Sequence, residues 1–196
     1  MKITAAIAMG LALAVSAQAT GKVQVCVNSS THVPFFVMVR AETIASQIFA
    51  TAGVAFEWRD AGSAACRNSD QALTLVLDFH IHTAPSDHPG ALAYALPYQG
   101  SHIVVLFDRF EWSAGGPSQV AAILAHVMAH EITHLLEGFA RHSQTGVMKA
   151  RWDRSDLRQM AFKPLPFDPE DIDLIQQGLS LRAAGATLAV PSAIPM

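Results

Sequence analysis

Hydrophobic positions along this chain change period several times, and each change marks an element. Residues 22–28, Lys-Val-Gln-Val-Cys-Val-Asn, alternate as a strand does when successive side chains point to opposite faces. Ser29-Ser30-Thr31 then offers helix caps. Val37, Met38, Ala41, Ile44, Ala45 and Ile48 recur at the helical period, predicting a helix to about Thr51 that Gly53 ends. Val54, Phe56 and Trp58 alternate again as a second strand, and residues 60–70, rich in Ala, Gly, Ser and Asn, read as a loop. Residues 73–82 carry the strongest strand signal. Leu73, Leu75, Leu77, Phe79 and Ile81 form one apolar face, with Thr74, Val76, Asp78, His80 and His82 on the other. Asp78-x-His80-x-His82 could ligate a metal, yet the wet face of any amphipathic strand produces the same pattern.

Farther along, residues 84–90 read as a turn region. Residues 91–97 and 102–107 read as two extended segments separated by Gln99-Gly100-Ser101. After a loop at 113–117, Pro117 or Ser118 starts a long helix that Gly138 stops as a left-handed C-terminal residue. Asp168-Pro169-Glu170-Asp171 is a second strong helix start, for a helix through about Arg182. The order strand, helix, strands, long helix, irregular segment, helix predicts an α+β domain, with a small twisted sheet against the long helix.

The chain termini narrow this domain. Lys2, an apolar run over residues 3–15 and the small-x-small trio Ala17-Gln18-Ala19 read as a secretory signal over residues 1–19. The run is too short to span about 30 Å of hydrocarbon, so cleavage is expected rather than anchoring. That leaves a domain over 20–185 and a loose apolar tail over 186–196. An exported, periplasmic or extracellular protein can oxidise its two cysteines, Cys26 and Cys66, to a disulfide; two free buried thiols are the alternative. A net charge of −3 without a Lys/Arg cluster argues against nucleic acid as a partner. No second long apolar stretch follows the signal, so no membrane association is expected after cleavage.

The chemistry sits on the long helix, at His130-Glu131-Ile132-Thr133-His134. Residues four apart lie one above the other on a helix, so His130 and His134 can bind one Zn2+ at about 2.0–2.1 Å. Glu131 stands beside them, where it can take a proton from water at the metal. With 9 His and 6 Glu in 196 residues, chance placement yields on the order of 0.01 such motifs. Two histidines leave zinc one short of the usual three protein ligands. Gly138 lets the backbone reverse, and His142, four residues on, can return to the metal.

The string HEITHLLEGFARHSQTGVMKARW, residues 130–152, resembles the metzincin clan of zinc endopeptidases, and also small exported bacterial proteins with metzincin-like sites. The resemblance covers about residues 118–152. It implies a zincin-like fold, a Zn2+ held by His130, His134 and His142, and Met148 in a turn that floors the site. Glu131 would be the general base acting on a peptide or protein substrate. The interval from His134 to His142 is longer than the clan's, so the turn must differ locally.

Other residues have weaker claims. Glu137 lies on the same helix as His134, where reaching the same ion strains the geometry; Asp153 or Asp156 would instead give a gluzincin-like third ligand. His126, one turn before His130, reads as a satisfied core histidine before a partner of the site. Trp152 and Arg151 could wall a substrate pocket, and Tyr94, Tyr98 and His102 could edge the cleft. Residues 91–107 are the candidate sheet edge for a substrate strand. The rival reading is a non-catalytic zinc-binding or peptide-binding scaffold of the same shape, in which Glu131 would be dispensable. Oligomeric state is not legible.

Overall fold

A computed structural model describes residues 22–28, 33–67, 74–80, 84, 86, 88–95, 101–110 and 115–185. The signal over 1–19, the caps Ser29-Ser30-Thr31, His82, Tyr98 and the tail over 186–196 lie outside the described residues.

The five strands are β1 (Val23–Asn28), β2 (Phe56–Asp60), β3 (Thr74–His80), β4 (Ala93–Ala95) and β5 (His102–Leu106). They form one sheet in the order β2-β1-β3-β5-β4. All neighbours run parallel except β4, which pairs antiparallel with β5. Helix α1 (Phe35–Ala50) makes the crossover from β1 to β2. The parallel register places Val25 beside Leu75, Leu77 beside Ile103 and Phe79 beside Val105. The alternation seen in the sequence therefore becomes one continuous apolar face, with all six of these side chains at 0% exposure.

That face is buried with α1 and with the long helix α3 (Gly116–Glu137) in a single core. Both helices bring small residues to it, Ala41 and Ala45 from α1 and Ala121, Ala125 and Ala129 from α3. Small side chains let packed backbones approach closely. A related contact holds α5 (Pro169–Ala183) on α3: a Cβ added at Gly178 would lie 1.7 Å from the Leu136 carbonyl oxygen, so only glycine fits this crossing. Arg182 also donates to the Leu135 carbonyl at 2.6 Å, satisfying a group that the helix end leaves open.

On the opposite face, Cys26 of β1 is bonded to Cys66 of α2 (Ala64–Arg67), with the two Cα atoms 5.9 Å apart. The expected disulfide thus pins a short helix over the sheet. Asp78 and His80 point to this same face. Asn28 donates to Asp78 at 2.8 Å and His80 is exposed, which is the wet strand face and not a ligand cluster.

Four expectations change. The 60–70 segment read as a loop contains the short helix α2. Of the 91–107 candidate only β4 is an edge strand, because β5 lies between β3 and β4; β2 forms the opposite edge. Helix α1 starts at Phe35 behind Pro34, with no side-chain cap. The segment read as irregular contains α4 (Arg154–Met160), opened by a reciprocal capping box between Asp153 and Asp156. Among the described residues, no helix is long and apolar enough to cross a membrane.

Candidate metal centre

Helix α3 begins behind Gly115, with Pro117 in its first turn, and ends at Gly138, whose φ of 83° reverses the chain. His130 and His134 face the same way near its C-terminal end, with their Nε2 atoms 3.0 Å apart. Two bonds of about 2.0–2.1 Å span that gap comfortably. The reversal brings His142 back, its ring centroid 5.2 Å from that of His130 and 5.1 Å from that of His134. One nitrogen from each of the three rings lies within 4.8 Å of the others. Among the described residues, no other group of three His, Cys, Asp or Glu converges in this way.

His130 and His134 are prepared by their surroundings. His130 donates from Nδ1 to the Val147 carbonyl at 3.0 Å, which fixes the tautomer and turns the Nε2 lone pair inwards. Burial holds the His130 pKa below its ordinary value. His134 is pushed down to about 3, chiefly by burial, with the neighbouring His130 and His142 adding to the effect. Both rings are therefore neutral at physiological pH, the protonation state that a metal requires.

Glu131 points from the same helix turn towards the sheet edge. Burial raises its carboxyl to about 7, against a hydrogen bond from the Ala95 backbone N–H that favours the carboxylate. The edge strand β4 thus lies directly over the motif. Sequence reasoning had no signal for this contact, since it depends on how β4 packs across α3.

The turn over residues 146–148 abuts the site through the Val147 carbonyl that holds His130. Gly146 has φ 73°, and a Cβ there would lie 2.2 Å from the Pro166 carbonyl oxygen. Val147 donates to that same oxygen at 2.9 Å, and Ser143 donates its N–H to the Met148 carbonyl at 2.8 Å. Met148 itself is 1% exposed, adjacent to the carbonyl that holds His130. Trp152 donates to the Gly146 carbonyl at 3.3 Å, and its ring stands edge-on to His130 at 5.8 Å. It therefore walls the site.

The remaining sequence candidates find other partners. His126 donates to the Ala122 carbonyl at 2.7 Å and accepts from Leu165 N–H at 2.9 Å, as a satisfied core histidine does. Asp153 and Asp156 cap α4 and pair with Lys149, so neither belongs to the metal group. Tyr94 stacks on His88, with centroids 4.0 Å apart, and Arg151 and His102 are exposed.

Glu137 also stays out of the metal group. Its carboxylate oxygens are buried without a hydrogen-bond partner, and the nearest cation, Arg141, is 3.9 Å away. Burial outweighs that cation and raises the carboxyl to about 7. The folded state therefore holds this proton more tightly than the unfolded state. Stability from the group is complete below about pH 4.5 and is lost as pH rises through about 7. Glu137→Gln should accordingly raise the melting temperature at pH 8 and leave it nearly unchanged at pH 5. Equal shifts at both pH values would contradict burial as the cause.

No protein-family model matches the sequence, and no curated protein is significantly similar to it. Solved structures do match. Archaemetzincin from Methanopyrus kandleri superposes with a TM-score of 0.52 at 19% identity, over 85% of this chain and 99% of that one. A zinc-dependent peptidase from Methanocorpusculum labreanum superposes with a TM-score of 0.53 at 13% identity, over 79% of this chain and 100% of that one. At such identities the likeness establishes a common fold, the zincin-like α+β architecture of a mixed sheet over a motif-bearing helix.

Proposed function

We propose that this chain is an exported zinc-dependent peptidase in which His130, His134 and His142 hold Zn2+ and Glu131 is the general base. The observation that carries this reading is the convergence of three imidazoles within 4.8 Å, next to the half-buried Glu131 carboxyl on the same helix. Their all-nitrogen donor set suits Zn2+, and three protein ligands leave a position for water or substrate. The two solved structures of the same fold carry the names archaemetzincin and zinc-dependent peptidase, which favours the same chemistry.

When bound, zinc lowers the pKa of water in the site towards about 7 and polarises the scissile carbonyl. Glu131 accepts the proton of the attacking water and returns it to the departing amine. Burial favours the protonated carboxyl and a nearby cation favours the carboxylate, so the group can take a proton and give it back. Val147 keeps the His130 ring in register, Met148 floors the site and Trp152 lines its side. β4, with β5 on one side only, offers the backbone edge to which an extended peptide can add.

Export is supported by the signal-like residues 1–19 and by the Cys26–Cys66 disulfide, which belongs to an oxidising compartment, periplasmic or extracellular. The test is incubation of the purified protein with unfolded proteins and with cell-wall peptide fragments. Cleavage of unfolded protein should stop when a chelator removes the metal and return when Zn2+ is restored. Cleavage only of cell-wall fragments would move the substrate class, and cleavage of neither would favour the scaffold reading.

A further inference from the structure

The third histidine arrives on a loop longer than the H-E-x-x-H-x-x-G-x-x-H pattern allows, with one residue more before the glycine and one more after it. A longer loop has more conformations to lose before His142 can bind an ion. Both neighbours of His142 are tied to one carboxylate on another helix. Arg141 donates from Nη2 to Asp171 Oδ1 at 2.5 Å, and Ser143 donates from Oγ to the same oxygen at 2.6 Å. Asp171 is 0% exposed. Its other oxygen, Oδ2, accepts the Asp168 N–H at 3.0 Å and closes the first turn of α5. The two oxygens thus have separate tasks, one capping the helix and one holding the loop.

We propose that Asp171 is a positioning residue for the third metal ligand: it grips Arg141 and Ser143 on either side of His142 and holds the imidazole where the ion binds. This rests on the zinc-site reading above. A buried carboxylate must be paired, and Arg141 supplies the charge while reaching Glu170 at 3.3 Å with its other nitrogen. The grip continues into the turn below the site through the Ser143 N–H to Met148 carbonyl bond. One carboxylate therefore couples the α5 N-terminus, the ligand loop and the Met148 turn.

The experiment measures zinc affinity by competition with a chromophoric chelator, and the visible spectrum of the Co2+-loaded protein. Arg141→Met with Ser143→Ala removes both arms and leaves Asp171 its cap. Affinity should fall about 10–100-fold, the usual cost of losing a partner that orients a ligand. The Co2+ bands should change with it. In a His142→Ala background the same double change should cost nothing further, since there is no ligand left to position. Thr145→Ala, which removes a bond to Asp168 at the same helix end, should leave affinity and spectrum unchanged. If the double variant fails to fold, Ser143→Ala alone carries the test, with a smaller loss and the same dependence on His142. Equal losses in both backgrounds, or no loss in either, would overturn the assignment. Absence of zinc from every protein, wild type included, would overturn the metal reading itself, a result distinct from uncoupled losses.

Discussion

Glu131→Gln should leave zinc bound and lower peptide turnover by about 10²–10⁴-fold, the range for removing a general base. The amide keeps the size of the side chain and can still accept the Ala95 N–H, so the packing of β4 on α3 should survive. What it loses is the ability to carry a proton. The three imidazoles proposed to hold the ion are untouched by the change. Metal content and melting temperature are measured beside turnover. Retained turnover would remove Glu131 from the mechanism, and lost zinc would mean that it acts on the site's structure.

Gly146→Ala should lower both stability and zinc affinity. At φ 73° an alanine costs about 1–2 kcal/mol on backbone grounds alone. Its Cβ would also lie 2.2 Å from the Pro166 carbonyl oxygen, a backbone atom that cannot swing aside. The turn must shift, and with it the Val147 carbonyl that orients His130 and the neighbouring Met148. Gly90 is the matched control, with φ 78° and nothing within 4 Å of an added Cβ. Gly90→Ala should show only the backbone cost and no change in zinc binding. A Gly146→Ala protein no worse than Gly90→Ala would show that the turn tolerates the clash.

The legible parts of this molecule are those governed by short-range periodicity. Leu75, Leu77 and Phe79 announce a strand face, and it is the buried face. Gly138 and Asp168 mark helix ends, and both lie where α3 stops and α5 starts. The His130–His134 spacing is a property of any helix, so two of the three imidazoles could be placed before any fold was known. Pairing partners are another matter. Nothing local says that β5 is flanked on both sides while β4 is left at the edge, because strand order is decided by long-range packing. Asp153-x-x-Asp156 carries a capping-box spacing as well as two possible ligands, and the structure commits both carboxylates to α4 and Lys149.

The site shows the same division. His130, Glu131 and His134 could be named from spacing, His142 from the reversal that Gly138 allows and Met148 only from the resemblance to metzincins, whereas the groups that orient them could not be named at all. The Val147 carbonyl, the Ala95 N–H and the Asp171 carboxylate act across separations of 17, 36 and 29 residues from His130, Glu131 and His142 respectively, so no motif window contains them. Asp171 is visible in the sequence only as the first turn of a helix. Its second oxygen acquires a task only once α5 packs beside the loop from Gly138 to Ser143.

Zinc content decides whether His130, His134 and His142 form one metal centre. Purified wild type and His142→Ala are each incubated with Zn2+, freed of excess and assayed for zinc per protein molecule. Wild type should hold one zinc and the variant should show a clear loss, with the fold of both intact by circular dichroism. A wild type without zinc, or a His142→Ala protein that holds it as tightly as wild type, would contradict the three-histidine centre.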